Sequence, residues 1–156
     1  MTVAYAARAS VRHVDGTPLF QSTDDQRAER DVAVALGQAW QCTLRPFGAL
    51  AAIDWYAVRD ERLVGVVELK HRSHASTRFP TVFLNVRKWL ALLLAGQGLG
   101  VPAIFVVQWT DQLGWVSVPA IDARQVIVGG CAALVKSVSD IEPVIEVPVA
   151  SFRAVV

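Results

Sequence analysis

The chain has 156 residues, 53% of them hydrophobic and 19% charged, with 15 basic side chains against 14 acidic ones. That length suits one domain of the usual roughly 100–200 residues, large enough to fold around a core without metal or disulfide. The apolar excess excludes disorder, and a net charge of +1 excludes a uniformly basic nucleic-acid coat while leaving room for a local basic patch.

Cys42 and Cys131 lie far apart, with no CxxC or Cys/His spacing, and read as small buried hydrophobes of a reducing compartment. The segment MTVAYAARASVRHVDG has no apolar stretch of signal-peptide length. Trp89 to Val107 runs nineteen residues without a charge, but Gly96, Gln97, Gly98, Gly100 and Pro102 interrupt it. It reads as a helix end, a turn and a buried strand rather than a membrane span. The expectation is a soluble, cytoplasmic protein.

Residues 1–22 read as an irregular lead-in. Ser22 or Thr23 is a good helix N-cap, and Asp24 and Asp25 suit the positive end of a helix dipole. The helix runs through DDQRAERDVAVALGQAW, with Ala28, Val32, Ala35 and Leu36 at helical spacing. Strand formers follow at Thr43–Phe47, Ile53–Arg59 and Leu63–Lys70, the last two joined as a hairpin through Asp60-Glu61-Arg62. After the polar loop HRSHASTRFP, a second helix is expected from Thr81, with Phe83, Val86, Leu90, Leu93 and Leu94 as its apolar stripe. Val101–Trp109 has the continuous apolar pattern of a central strand, and Asp111-Gln112 turns it into Gly114–Val118. Beyond Pro119 the pattern suggests a strand at Gln125–Val128, a short helix around Cys131–Val138 and a strand at Val144–Val149. This order describes one α/β domain over residues 1–156, a mixed sheet with helices packed on it and a C-terminal extension from residue 119.

The chemistry concentrates in AAIDWYAVRDERLVGVVELKHR. Glu68 and Lys70 are two apart on a strand and share a face, while Leu69 points to the other. A hairpin centred on Glu61 pairs 54 with 68, 56 with 66 and 58 with 64, which sets Asp54 across from Glu68 on that face. A two-residue turn instead pairs Asp54 with 67 or 69 and puts Glu68 on the opposite face. Two carboxylates held close repel unless a cation intervenes, and hard oxygen donors suit Mg2+ or Mn2+. Lysine beside them is informative in a chain with twelve arginines and three lysines, because only lysine can give up a proton.

Asp54 followed by Glu68-Leu69-Lys70 resembles the PD-(D/E)xK nuclease superfamily, of restriction-endonuclease-like fold, although Ile53 stands where the family name has proline. The resemblance covers roughly residues 23–118 and implies an αβββαβ core with a four- to five-stranded mixed sheet flanked by helices. Glu29 occupies the place of the family's first-helix acid, and Lys88-Trp89 in FPTVFLNVRKWLALL is similar to small phage- or prophage-type members. The resemblance implies an Mg2+- or Mn2+-dependent hydrolysis of DNA phosphodiesters. Asp54, Glu68, Glu29 and the Leu69 carbonyl would hold the metal, and Lys70 would activate water. Lys88 would assist with phosphate. The alternative is the same fold without the chemistry, binding nucleic acid or a protein partner. RNA remains open as a substrate, and a homodimer is compatible with either reading.

Charge supports a local patch. From residue 68 to 88, Lys70, Arg72, Arg78, Arg87 and Lys88 stand against Glu68 alone, a net of +4, so the remainder of a +1 chain sums to −3. Arg72, His74, Arg78, Arg87 and Lys88 are therefore the candidates to grip a phosphate backbone.

Overall fold

A computed structural model of the protein describes residues 23–48, 51–124, 126–129 and 142–156. The expected lead-in over residues 1–22 and the short helix around Cys131–Val138 lie outside the described residues. Helix α1 spans Thr23–Trp40 and is followed by strands β1 (Thr43–Pro46), β2 (Trp55–Arg59) and β3 (Arg62–His71). A further strand, β4 (Thr81–Asn85), precedes helix α2 (Val86–Leu99), and then come β5 (Ala103–Gln108) and β6 (Leu113–Ser117). The C-terminal part supplies β7 (Val126–Gly129), β8 (Glu142–Pro148) and the two-residue β9 (Arg153–Ala154).

Two sheets result, one of six strands in the order β1-β2-β3-β5-β6-β9 and one of three in the order β4-β8-β7. The expected four- to five-stranded sheet is thus extended by β9 at its edge, and a second sheet covers part of one face. Strands β3 and β5 run parallel with Glu68 beside Phe105 and Lys70 beside Val107, while the other pairs are antiparallel. The connection between β3 and β5 passes through α2, as a parallel pair requires.

The second helix starts five residues later than expected. In Thr81–Asn85 burial alternates, Val82 and Leu84 inward and Phe83 outward, which is the period of a strand. Pairing with β8 in register Phe83↔Glu146 secures it, and Asn85 then forms the cap position of α2. The helix buries Leu92 and Gly96, while Leu90 and Leu94 from the expected stripe are exposed. Gly96 permits a close approach to β5, since a Cβ there would sit 3.0 Å from that of Ala103. Gly100 ends the helix in the left-handed conformation, φ 66°. On α1, Val32 and Leu36 are buried as expected, but Ala33 takes the inward place and Ala35 faces solvent.

Two apolar clusters lie on opposite faces of the main sheet. On the α1 side, Val32, Ala33 and Leu36 pack on Trp55, Val67, Leu69 and Val106. On the α2 side, Leu92, Val82, Leu84 and Ile145 pack on Val66, Phe105, Val107 and Trp109. No helix among the described residues is long and apolar enough to cross a membrane.

Candidate active site

The hairpin β2–β3 builds the site by a route different from either one read in the sequence. Asp60 and Glu61 both have positive φ, 49° and 57°, as in a two-residue turn of type I′. That turn pairs Val58 with Leu63 and Arg59 with Arg62, so the expected 58↔64 pair is absent. A bulge between Ala57 and Val58 then adds one residue to β3, and the pairs beyond it are Ala57↔Gly65, Tyr56↔Val66 and Trp55↔Val67. Continued by one step, this register sets Asp54 across from Glu68. The opposed carboxylates come from a short turn corrected by a bulge.

Asp54 is held at the head of β2 through its own carbonyl, which accepts from Phe47 N at 3.0 Å. Glu68 is 8% exposed, one of two buried polar or charged residues among those described. Between the two carboxylates comes Lys88, from the first turn of α2. Its Nζ donates to Asp54 Oδ1 and, at 3.0 Å, to Glu68 Oε2. The first turn of α2 contains no acidic residue, so Lys88 and Arg87 add charge to the positive end of the helix dipole. The two carboxylates answer it.

Burial pushes the Glu68 carboxyl above its usual range, Lys88 opposing and Asp54 adding to the rise. For Lys88, burial alone would depress the ammonium, but Glu68 and Asp54 outweigh it and hold the group above its ordinary value. Lys70 behaves differently. Burial, reinforced by Arg72 and opposed by Glu68, brings it down to about 8. Its Nζ donates to Phe83 O of β4 at 2.8 Å, which ties the edge of the second sheet to the active strand.

Glu29, Asp54, Glu68, Leu69, Lys70, His71 and Arg72 line one open cleft of about 340 Å³. The structure therefore brings Glu29 from α1 to the same opening as the hairpin residues. The Leu69 side chain is packed under α1, so its backbone is what it offers the cleft. No three His, Cys, Asp or Glu side chains form a ready metal cluster among the described residues. The donors are two carboxylates already close to a common cation. That set fits an ion such as Mg2+, which takes one or two carboxylates and keeps several waters.

The expected phosphate-binding residues divide. Arg72 lines the cleft. Arg78 lies over the Phe79 ring at 5.6 Å, and the His74 ring meets Phe79 edge-on at 5.1 Å. Arg87 is instead turned to Glu142 at 3.3 Å, away from the carboxylate pair. Two tryptophans near the site serve packing: Trp55 is core, and Trp89 rests against the cluster beneath α2. Sequence reading misses the Phe83 carbonyl as partner of Lys70, for which no side-chain signal exists. It also misses Asp111, which accepts from both Ser76 N and Ser76 Oγ at 2.7 Å and so anchors the basic loop. Those bonds hold Asp111 below the usual carboxylate range.

Over residues 16–155 the chain matches the family described as "Phage putative PDDEXK endonuclease". Among solved structures it is similar to Hjc, a Holliday junction resolvase from the archaeal hyperthermophile Archaeoglobus fulgidus. The TM-score is 0.53 at 17% identity, covering 66% of this chain and 80% of that one. The likeness is one of fold, and it agrees with the restriction-endonuclease-like architecture expected from the sequence. No curated protein matches the chain.

Proposed function

The chain belongs to the phage PDDEXK endonuclease family, and we propose that it is a divalent-metal-dependent deoxyribonuclease acting at the cleft beside β3. One observation carries the reading. Asp54, just before β2, and Glu68 of β3 both reach a single cationic atom, Lys88 Nζ. A pair of carboxylates arranged around one cation position suits a metal ion in that position. Asp54 and Glu68 would hold Mg2+ or Mn2+, with Leu69 and Glu29 lining the same cleft. Such an ion lowers the pKa of a bound water and offsets charge on phosphate.

The remaining roles come from the side chains. With its pKa near 8, Lys70 is substantially neutral in mildly alkaline solution. One N–H goes to Phe83 O, which leaves the nitrogen lone pair to take a proton from the attacking water. The water oxygen then bonds to phosphorus, the phosphorus–oxygen bond to the leaving sugar breaks, and the departing oxygen takes a proton from solvent. Lys88, once released from the carboxylates, has the phosphate as its next anion. Arg72 stands at the same cleft to grip the backbone.

A second reading has a specific observation behind it. Lys88 already bridges the carboxylates, so a nuclease fold that only binds DNA would need no metal there. Calorimetric titration with Mn2+ separates the two. The nuclease reading expects a binding heat in the wild type that is lost in Asp54→Ala and in Glu68→Ala. A wild type that takes up no Mn2+ at millimolar concentration would favour the binding module.

A further inference from the structure

The loop between β3 and β4 is anchored along its length. Arg72 N donates to Gln108 O at 2.8 Å, Thr110 N to His74 O at 3.2 Å, and Val149 N to Pro80 O at 2.9 Å. Asp111 holds Ser76 from the turn between β5 and β6 through two bonds of 2.7 Å. These bonds fix the course of the loop backbone. Yet the loop presents Phe79 to solvent, 52% exposed, at the end of the short 3-10 turn Ser76–Arg78.

Two groups, His74 and Arg78, lie against that ring. The His74 ring meets it edge-on, and the Arg78 guanidinium lies over it. No acidic residue occurs between His71 and Pro80, and the loop leaves β3 at His71 and Arg72, which line the cleft with Asp54 and Glu68. Phe83, on β4 just beyond, is also exposed, at 38%, while its carbonyl is held by Lys70. An exposed aromatic ring beside arginine is the combination on which nucleic-acid bases stack while their phosphates are gripped. In a continuous duplex the base faces are covered by their neighbours. A ring on such a loop meets a base face without the cost of unstacking a duplex only where nucleotides are unpaired.

We propose that Phe79 is a stacking platform for an unpaired nucleotide of the bound DNA, so that the protein takes DNA with a single-stranded, flapped or branched segment. Cleavage after binding rests on the nuclease reading above, but the binding itself needs no metal. Fluorescence anisotropy in EDTA, with the full chain, compares a single strand, a flapped duplex, a four-way junction and a fully paired duplex. Phe79→Ala should weaken binding to the substrates with unpaired nucleotides by roughly 5- to 100-fold and to the paired duplex by no more than roughly twofold, since base–aromatic stacking contributes only where a base face is free. Phe79→Trp should retain the preference. The three non-duplex arms show which form of unpaired DNA fits best. A 2-aminopurine placed in the unpaired segment should be quenched by wild type and by Phe79→Trp, and not by Phe79→Ala.

Equal weakening on paired and unpaired DNA, no weakening at all, or an unchanged 2-aminopurine signal in Phe79→Ala would overturn the inference. Stacking with no cleavage of any substrate in Mg2+ or Mn2+ would overturn the nuclease reading alone.

Discussion

The two faces of β3 carry alternate residues of one strand, and they could hardly differ more. Towards α1 stand Val67 and Leu69, in a dry cluster with Val32, Leu36 and Trp55. Towards α2 stand Val66, Glu68 and Lys70, and there the apolar packing gives way to Lys88, Asp54 and the Phe83 carbonyl. The difference teaches how a small domain keeps ionisable groups half-buried. One face supplies the stability that anchors the strand, and the other holds charge only where opposite charge or a carbonyl meets it. Substitutions on one face should therefore act on stability, and on the other chiefly on chemistry.

The largest effect is expected from the charged face. Lys70→Met should lower DNA cleavage by about 10²- to 10⁴-fold, as loss of a positioned proton acceptor does, with little change in the circular dichroism spectrum. Wild-type rates in that variant would break the distinction between the faces. On the dry face, Leu69→Ala should cost roughly 2–5 kcal/mol in urea unfolding, as buried leucine truncations do. Its residual activity, per folded molecule, should stay closer to wild type than that of Lys70→Met.

Lys88→Met sharpens the comparison because it removes charge from the side where charge is paired. Loss of about 1–3 kcal/mol is expected at neutral pH, since the carboxylates lose their partner. The Lys88 ammonium is held above its ordinary value, so its contribution is present below that value and fades as pH rises through the raised one. The difference from wild type should also shrink as Glu68 takes up a proton, a step that burial raises above the usual carboxylate range. Added Mn2+ should restore more stability to the variant than to the wild type.

A smaller effect comes from Lys70 itself. Its folded-state pKa of about 8 lies below the ordinary lysine value, so the native state binds fewer protons than the unfolded chain above pH 8. Stability attributable to this residue should rise with pH from about 8 towards the usual lysine value near 10.4. Lys70→Met should flatten that rise in a series of urea midpoints. The half-exposed Arg87–Glu142 pair should matter least: Arg87→Gln should cost no more than about 1 kcal/mol.

Much of this arrangement is legible in the sequence because it depends on alternation. Glu68, Leu69 and Lys70 have a period of two, and the apolar AIFVV of β5 has no free face to hide. The register is harder. Centring the hairpin on Glu61 matches the pairing near Asp54, but the chain reaches it through a two-residue turn and a bulge that nothing in Asp60-Glu61-Arg62 announces. Strand β4 reads as helix because Phe83, Val86 and Leu90 also fit helical spacing; pairing with β8, some sixty residues away, decides otherwise. Separations of 34 and 20 residues likewise hide the bridge from Lys88 to Asp54 and Glu68. Long-range contacts of this kind leave no local pattern.

The most direct test of the central claim is cleavage of supercoiled and branched DNA by wild type and by Asp54→Asn, each with Mg2+ and with EDTA. Cleavage by the wild type in Mg2+ alone, reduced on the order of 10³-fold or more in Asp54→Asn, is the predicted result. Equal cleavage with EDTA, or by the variant, would contradict it.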